Sequence, residues 1–463
     1  MADNDIDRSA AEALHAIWHA AGGADEALGA VALTGAGDLS SVFATTSLAV
    51  ASIAAAGLAV AELAAARHGA LPRLRADRRL ASFWFADSIR PDGWALPPAW
   101  DAVAGDYRCA DGWIRLHTNA PHHRAAALAV LGVPAERERV AQVVAGWSGE
   151  ALESAIVDNG GCAAQMRSLD DWAVHPQGAA VAAEPLLWRE TFDAATRPAW
   201  TVPADRPLAG IRVLDLTRIL AGPTATRFLA GYGATVLRLD PPGWEEPSLQ
   251  PEVTLGKRCA RIDLRSDPGR TLFERLLREA DVIVHGYRAD ALERLGLGAG
   301  RRRELNPGLV DVSLDAYGWT GPWRRRRGFD SLVQMSSGIA EAGMRLRGRD
   351  APTPLPVQAL DCAAGYIMAG AAVRGLAERL RAGSGSSARA SLARVAATLA
   401  ALRAPDCVER PQPAPASQAD VAGTIEHTPW GPARRLRPPL ELDRAPMRWD
   451  LPAASLGSSP AQW

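Results

Sequence analysis

Lysine is almost absent from this 463-residue sequence, because Lys257 is the only one and arginine carries nearly all of the positive charge. The formal net charge is −1. The sequence therefore has no overall basic field of the kind that nucleic acids or anionic membranes attract. We expect neither a nucleic acid nor a membrane as its partner.

Cysteine is also scarce, with five residues that are widely spaced and include no C-x-x-C pair: Cys109, Cys162, Cys259, Cys362 and Cys407. An odd number without such a pair favours a reduced protein and predicts no metal site. The N-terminus is acidic and lacks the basic and apolar regions of a signal peptide. These features predict a cytoplasmic protein.

Long hydrophobic runs are missing except between residues 43 and 61, where no charged residue occurs. That length approaches the length of a membrane span. Its residues, however, are mostly alanine, serine, threonine and glycine, which gain little from hydrocarbon compared with leucine or isoleucine. The run therefore predicts a buried helix.

Two proline-rich segments, 196–207 and 405–420, resemble linkers and divide the chain. Between them, short apolar strands alternate with helical patterns such as 268–280 and 289–295. The predicted strands are 211–216, 235–239, 260–264, 281–284 and 309–314. This alternation predicts an α/β domain with a parallel sheet.

The first 200 residues differ in pattern. They begin with helical segments, and a tryptophan-rich region follows in which 107–117 predicts a hairpin with Asp111-Gly112 at its turn. This pattern predicts a smaller α+β domain. The expected organisation is an N-terminal helical segment (1–70), a small α+β domain (71–200), a Rossmann-like large domain (201–404), and a linker with a C-terminal tail (405–463).

Asp361 opens an alanine- and glycine-rich helix and is our candidate nucleophile. We expect it at the helix N-cap, where free N–H groups and the helix dipole favour an ionised carboxylate. A simple capping role is the alternative. Upstream, the turn that follows the first strand of the α/β region lacks the G-x-G-x-x-G motif of dinucleotide folds, but its small residues and new helix start can hold an anion or a carbonyl oxygen.

Several ordered segments resemble family III CoA-transferases, which are typified by formyl-CoA and carnitine CoA-transferases. The longest reads Leu208-Ala-Gly-Ile-Arg-Val-Leu-Asp-Leu-Thr-Arg-Ile-Leu-Ala-Gly-Pro223. The other matching segments are 233–243, 256–265, 280–284, 292–296, 305–307, 317–322 and 328–330, and the terminal stretch from residue 428 is similar to the closing segment of the family. The similarity is strong over about 180 residues of the sequence.

The resemblance implies transfer of coenzyme A between an acyl-CoA and a carboxylic acid. It places the nucleophile at Asp361, through an aspartyl anhydride and an aspartyl-CoA thioester. Coenzyme A is then a substrate and no metal takes part. By position, the implied coenzyme A contacts are Ile219, Leu220 and Ala221 at the thioester, Ile262 and Arg265 at the adenosine, Tyr287 and Arg288 along the pantetheine, and Arg294 and Arg327 at the phosphates. Relatives form interlocked homodimers, so a homodimer is implied as well.

The sequence departs from the family pattern in its domain order, because the small-domain pattern precedes the sheet. This order indicates a permuted chain or the remnant of a two-copy ancestor. A shift of 316 residues aligns the helix at residue 45 with the one at 361, which places Thr45 opposite Asp361; chance similarity of two alanine-rich helices explains the match nearly as well.

Alternative functions within the same fold are an acyl-CoA racemase and an isomerase. Racemases carry Gly-His-Asp where this chain reads Gly328-Phe329-Asp330, and phenylalanine cannot act as a base. A catalytically silent CoA-binding protein is a third alternative. We assign His117, His122 and His123 to surface or core positions, because their spacing is not that of a metal site.

Overall fold

The computed structural model of the protein describes residues 2–193, 200–402 and 411–463. Positions 196–199 and 405–410 of the two predicted linkers lie outside the described residues, as does Cys407.

The strands in chain order are β1 (Val31–Thr34), β2 (Leu74–Asp77), β3 (Ile89–Pro91), β4 (Gly105–Cys109), β5 (Gly112–Leu116), β6 (Ala163–Gln165), β7 (Trp188–Phe192), β8 (Arg212–Leu216), β9 (Thr235–Asp240), β10 (Lys257–Arg261), β11 (Val282–His285), β12 (Val310–Asp315), β13 (Gly385–Ser391), β14 (Glu426–Thr428), β15 (Gly431–Arg435) and β16 (Leu440–Leu442).

The α-helices in chain order are α1 (Ala2–Ala20), α2 (Thr45–His68), α3 (Arg78–Trp84), α4 (Pro121–Leu131), α5 (Arg137–Val144), α6 (Gly149–Asp158), α7 (Leu169–Val174), α8 (Pro176–Ala182), α9 (Ala221–Gly231), α10 (Gln250–Val253), α11 (Asp267–Arg278), α12 (Ala291–Arg294), α13 (Ala299–Leu305), α14 (Asp330–Ser336), α15 (Ile339–Leu346), α16 (Ala359–Ala382) and α17 (Leu392–Ala401). Two 3-10 helices cover Asp25–Ala30 and Gln418–Asp420.

The largest sheet has seven strands in the order β10-β9-β8-β11-β12-β13-β7. The first six are parallel, and β7 joins the edge antiparallel to β13. The predicted mixed α/β fold with a parallel-rich sheet is therefore confirmed. β13 and β7 were not predicted, because their serine, glycine and charged residues give neither strand a clear apolar pattern.

The predicted strand at 260–264 lies too far along the chain, since β10 begins at Lys257. The Lys257 side chain is fully buried although β10 is an edge strand of the sheet, and the structure shows how the charge is accommodated. The buried Nζ atom of Lys257 donates to Asp215 Oδ2 at 2.9 Å, to the Pro223 carbonyl at 2.9 Å and to Thr226 Oγ1 at 2.6 Å. A buried charge with three acceptors can remain in the core, whereas an unpaired one is strongly disfavoured.

The helix α16 lies almost entirely within the protein, packed between α2, α9 and the sheet. Its partner α2 is the helix predicted from the charge-free run, and the prediction that it is buried is confirmed. Among the described residues, α2 alone is long and apolar enough by composition to cross a membrane, but 89% of its apolar window is covered by the rest of the protein. We interpret it as a core helix.

A second, smaller core belongs to β4, β5, β6 and the helices α4 to α6. The hairpin of β4 and β5 agrees with the hairpin predicted there. Strand pairing crosses the expected domain boundaries in four places. The strand β1 pairs with β2, β7 joins the large sheet, β15 pairs with β3, and β16 pairs with β2.

Candidate active site

The first turn of α16 presents Asp361 as the third residue of the helix, because the N-cap position is occupied by Gln358. The expectation that Asp361 is itself the N-cap is therefore wrong, and two extra residues of helix precede it. Its side chain is only 7% exposed. No hydrogen-bond donor within the described ranges contacts its carboxylate, whereas its backbone N–H is used. Asp361 is thus a buried carboxyl group without a stabilising partner.

The residue that holds the start of α16 is Asp330, at the beginning of α14 and fully buried. Its Oδ2 atom accepts the N–H groups of Leu360 at 2.8 Å and Asp361 at 3.0 Å. Its Oδ1 atom accepts from the amide of Gln334, and the amide oxygen of Gln334 accepts the N–H of Leu355 at 2.7 Å. Asp330 therefore supplies the cap that the sequence led us to expect from Asp361.

The two carboxyl groups compete for ionisation. Burial raises the pKa of Asp330 to about 6, although its three hydrogen-bond donors favour the charged form. Burial, and secondly the charge of Asp330, raise the pKa of Asp361 well above its usual range. Because only Asp330 has donors, we assign the negative charge to Asp330 and the proton to Asp361 in the empty site. The expectation of an unperturbed, ionised Asp361 is therefore corrected.

The helix α9 approaches α16 one turn beyond Asp361. A Cβ atom added to Gly365 would lie 2.4 Å from the carbonyl oxygen of Ala221 and 2.8 Å from Thr224 Cβ, so only glycine permits this contact. Positions 361 and 365 lie on the same face of a helix. The N-terminus of α9, whose first N–H groups are free of helical partners, therefore lies next to the face that carries Asp361.

The loop that leads into α9 contains a strained residue. Ile219 has a φ of 67°, which a β-branched residue rarely adopts. Its backbone N–H donates to Glu246 Oε2 at 2.9 Å, and Glu246 is held in turn by the buried Arg238. Backbone strain of this kind occurs preferentially at ligand sites. Ile219 is also one of the residues for which the resemblance implied contact with coenzyme A.

A group of cationic side chains surrounds the carboxyl ends of β8 and β11, which neighbour each other in the sheet. Arg218 donates to the hydroxyl of Tyr287 at 2.8 Å, and Arg327 lowers the pKa of Arg288, after the larger effect of burial. No carboxylate of the described chain lies within ion-pair distance of Arg218, Arg288 or Arg327. His122 also belongs here, because Arg327 and Arg218 both lower its pKa after burial does. We call Arg218, Arg288 and Arg327 the cationic cluster, and the lowered pKa of His122 leaves its ring neutral at pH 7 beside them.

Sequence reasoning found Arg288 and Arg327 but missed Arg218 and His122. The signal for Arg218 was present, since it directly follows the first strand of the sheet. His122 comes from the smaller core, and no sequence pattern indicated that α4 would reach the sheet.

The remaining predicted contacts are distributed around this edge of the sheet. Leu220 and Ala221 are buried at the start of α9, and Ile262 is buried just after β10. Arg265 is exposed near Ile262. Arg294 is exposed and forms an ion pair with Asp290. It therefore differs from the arginines of the cationic cluster, which have no carboxylate partner in the described part of the chain.

Phe329 lies between two histidines. The ring of His117 stacks on it at 3.8 Å between centroids, and the ring of His123 meets it edge-on at 5.8 Å. Burial lowers the pKa of both histidines to about 3, so both are neutral at pH 7. Neither ring nitrogen of His123 has a hydrogen-bond partner in the described part of the chain. The assignment of these histidines to the core holds for His117 and His123.

One group in the described ranges could hold a metal ion. His15, His19 and Asp25 are exposed, and their ligand atoms lie within 4.8 Å of one another. This group lies on α1 and the 3-10 helix that follows it, whereas Asp361 lies on α16. It therefore contributes nothing to the candidate site.

The fold and the site together define an α/β protein with a buried carboxyl group beside a helix N-terminus. Residues 208–428 match the sequence profile of CoA-transferase family III. The resemblance to this family is therefore confirmed over that region of the chain.

Several curated proteins are similar to this region. A probable fatty acyl-CoA transferase, Rv3272 of Mycobacterium tuberculosis, is 32% identical over 231 residues, covering 45% of this chain and 58% of that protein. A succinyl-CoA–D-citramalate CoA-transferase of Chloroflexus aurantiacus is 34% identical over 194 residues, covering 39% and 48%. A succinyl-CoA:glutarate CoA-transferase of Mus musculus is 32% identical over 204 residues, covering 41% and 46%.

Among solved structures, the crystal structure of Rv3272 shares 34% identity, with coverage of 42% of this chain and 57% of that chain and a TM-score of 0.38. The chain spans about half the length of the curated relatives it matches.

Proposed function

We propose that the protein transfers coenzyme A from an acyl-CoA thioester to a carboxylic acid, with Asp361 as the covalent nucleophile. The observation that carries the proposal is the buried Asp361 carboxyl group, which has no hydrogen-bond donor and lies on the face of α16 that meets the N-terminus of α9. Burial destabilises the ionised form of a carboxyl group in such a position. A bound substrate can supply the hydrogen-bond donors that the carboxyl group lacks. The names of the relatives support the reaction class.

The reaction proceeds by acyl exchange on the Asp361 carboxylate. The carboxylate oxygen attacks the thioester carbonyl and expels the CoA thiolate, which leaves a mixed anhydride. The thiolate then attacks the aspartyl carbonyl and releases the donor acid, which leaves an aspartyl-CoA thioester. The acceptor acid reverses both steps: its carboxylate attacks the aspartyl-CoA carbonyl, and the expelled thiolate attacks the acceptor carbonyl. No electrons are exchanged, and Asp361 is regenerated.

Each part of the site has a role in this scheme. The cationic cluster and the adjacent Tyr287 suit the phosphates and the extended arm of coenzyme A, because arginine binds phosphate oxygens strongly. The free N–H groups at the start of α9 suit the oxyanion that develops on the carbonyl oxygen. Asp330 orients Asp361 through its backbone and favours its protonated form before the substrate binds, and the Asp361 proton leaves to solvent before the carboxylate attacks. The other contacts with coenzyme A that the resemblance implies also remain proposals, each in the role given above. They are Ile219, Leu220, Ala221, Ile262, Arg265 and Arg294.

Trapping tests this function directly. The protein is incubated with a panel of acyl-CoAs, treated with hydroxylamine or borohydride, and digested for mass spectrometry. We expect a modification on Asp361 only. Full transfer activity together with a trapped adduct on any other side chain would contradict the proposal.

Replacing Arg327 by alanine is expected to raise KM for acyl-CoA by about 10- to 100-fold with a smaller effect on kcat. A hydrogen bond to a charged group contributes about 1.5–3 kcal/mol, and 1.4 kcal/mol corresponds to a factor of ten. The matched control is Arg301→Ala, which removes an exposed arginine paired with Glu274. An equal change in KM for the two variants would remove Arg327 from the phosphate site.

A racemase is the second candidate, because the neutral, unpartnered ring of His123 lies beside Phe329. We favour the transferase, since a histidine whose pKa lies near 3 is a weak base at neutral pH.

We accordingly expect no enzyme-dependent entry of solvent deuterium at the α-carbon of a 2-methylacyl-CoA, as followed by NMR. Exchange that is lost in both His123→Ala and Asp361→Asn would assign the protein to the racemases instead. A protein that binds acyl-CoA but shows neither exchange nor transfer would be the catalytically silent alternative.

The homodimer and the cytoplasmic location also stay proposals, and they rest on the resemblance and on the composition of the sequence. Light scattering at micromolar concentration tests the assembly.

A further inference from the structure

The segment that contains α2 repeats the geometry of the segment that contains α16. Both helices have 24 residues, and each is preceded by the same tight turn, in which Thr45 N–H donates to the Phe43 carbonyl and Ala359 N–H to the Val357 carbonyl, both at 2.8 Å. Each helix ends at a glycine with a positive φ, at Gly69 and Gly383. The start and the end of α2 therefore align with the start and the end of α16 when the sequence is shifted by 314 residues.

The same offset continues beyond the helices. The strand β2 ends at Asp77 and β13 ends at Ser391, and each of these residues caps the helix that starts directly after it. In each case the strand before the long helix runs parallel to the strand after it, with Thr34 paired to Asp77 and Asp315 paired to Ser391. A β–α–β–α unit therefore occurs twice, as β1-α2-β2-α3 and as β12-α16-β13-α17, and in the second copy α14 and α15 are inserted between β12 and α16.

The two units also contact each other through equivalent positions of their long helices. The helices α2 and α16 are in contact at Gly370, where an added Cβ would lie 3.5 Å from Ala56 Cα, and positions 56 and 370 correspond at the offset of 314. Contact between equivalent positions is typical of two copies related by a twofold axis. Chance similarity of two alanine-rich helices explains neither this contact nor the shared caps.

Each unit receives its last strand from a distant part of the chain. The strand β16, near the C-terminus, lies antiparallel on β2 with Glu441 opposite Arg75. The strand β7, from the N-terminal half, lies antiparallel on β13 with Trp188 opposite Arg389. Arg75 and Arg389 correspond at the same offset, so the exchange of edge strands is reciprocal.

The first unit lacks the chemistry of the second. At the offset of 314 residues, Ser47 stands where Asp361 stands, which corrects the sequence alignment that placed Thr45 there. The hydroxyl of Ser47 is fully buried and has no hydrogen-bond partner in the described ranges. The sheet of this unit ends at β1, whereas that of the second unit continues through β11, β8, β9 and β10. The loops that carry the proposed coenzyme A contacts follow these additional strands.

We propose that this chain contains two copies of one unit, each completed by an edge strand from the segment that follows the other copy, so that a single chain forms one complete site around Asp361 and a second unit without a site. The smaller core around β4, β5 and β6 supplies His122 and Arg115 to the same site. The charge of Arg115 favours the ionised form of Asp330. The single-site statement rests on the proposed function, whereas the arrangement of the two units does not. This arrangement gives the two predicted linkers a role, because the two halves of one chain cross each other where an interlocked dimer would use two chains.

Cross-linking tests the arrangement without reference to activity. Ala56→Cys and Gly370→Cys are introduced together in a Cys407→Ser background, and the full chain is oxidised under mild conditions. A Cβ atom at position 370 would lie 3.5 Å from Ala56 Cα, so the two Cα atoms lie no more than about 5 Å apart, within reach of a disulfide, which joins Cα atoms about 4.4–6.8 Å apart. We expect the oxidised protein to run as a single chain under denaturing, non-reducing conditions. A covalent dimer, or no bond between these positions, would overturn the proposal.

Stoichiometry tests the single site. Trapping is expected to give one adduct per chain, and Ser47→Asp combined with Asp361→Ala is expected to restore no transfer and no trapping. Ser47→Ala, as a control, should leave kcat and KM unchanged. An adduct at position 47, or two per chain, would overturn the single-site statement; an intrachain cross-link in a protein that shows no trapping at all would contradict the proposed function and leave the arrangement intact.

Discussion

Replacing Asp361 by asparagine is expected to abolish CoA transfer and at the same time to raise the melting temperature at neutral pH. The loss of activity should be at least about 10⁴-fold, because removal of a covalent nucleophile leaves only binding and electrostatic contributions. The gain in stability follows from burial. The Asp361 carboxyl group has no donor and lies beside the charge of Asp330, so the folded state disfavours its ionisation.

The sign of the pH dependence provides a sharper check. An acid whose pKa is raised in the folded state contributes stability at low pH, and that contribution is lost as the pH rises through the folded pKa. The difference in melting temperature between Asp361→Asn and the native protein should therefore grow with pH and vanish in acid. Calorimetry over a pH series measures it. An asparagine variant that is less stable than the native protein at pH 7 would show that Asp361 is a structural cap.

Replacing Asp330 by asparagine is expected to lower kcat/KM by about tenfold and to shift the acid limb of its pH profile to lower pH. The reduction corresponds to about 1.4 kcal/mol of lost positioning, and the shift follows because the neighbouring charge that raises the pKa of Asp361 is gone. Stability should fall by about 1–3 kcal/mol, since an amide has only one acceptor oxygen and cannot accept the two N–H groups and the Gln334 amide together.

A matched control for this variant is Asp315→Asn. Asp315 is also buried, its pKa is also raised by burial, and it also accepts two backbone N–H groups, from Tyr317 at 2.7 Å and Gly318 at 2.9 Å. Its variant should lose comparable stability but leave the acid limb unmoved. Equal shifts in the two variants would mean that Asp330 acts on the fold and not on Asp361.

The sequence by itself determined the elements whose patterns are local. The apolar strands around 211–216, 235–239, 281–284 and 309–314 were predicted close to their observed positions, because each buried strand is a short run of aliphatic residues between turn signals. The ordered motifs from residue 208 onward were sufficient to indicate the family whose profile matches residues 208–428. The start of β10 was misplaced, because the ion pair of Lys257 with Asp215 is invisible in sequence.

The tertiary structure alone decided how Asp361 is held and ionised. Capping depends on where the chain enters the helix, and a side chain 31 positions earlier, that of Asp330, occupies the capping role. The raised pKa of Asp361 depends on burial and on the proximity of that second carboxylate, and neither can be derived from local sequence. The register of the internal repeat was likewise ambiguous in two alanine-rich helices. It became definite only when backbone hydrogen bonds, glycine caps and strand pairs fixed the offset at both ends of each unit, because those contacts join residues that lie far apart along the chain.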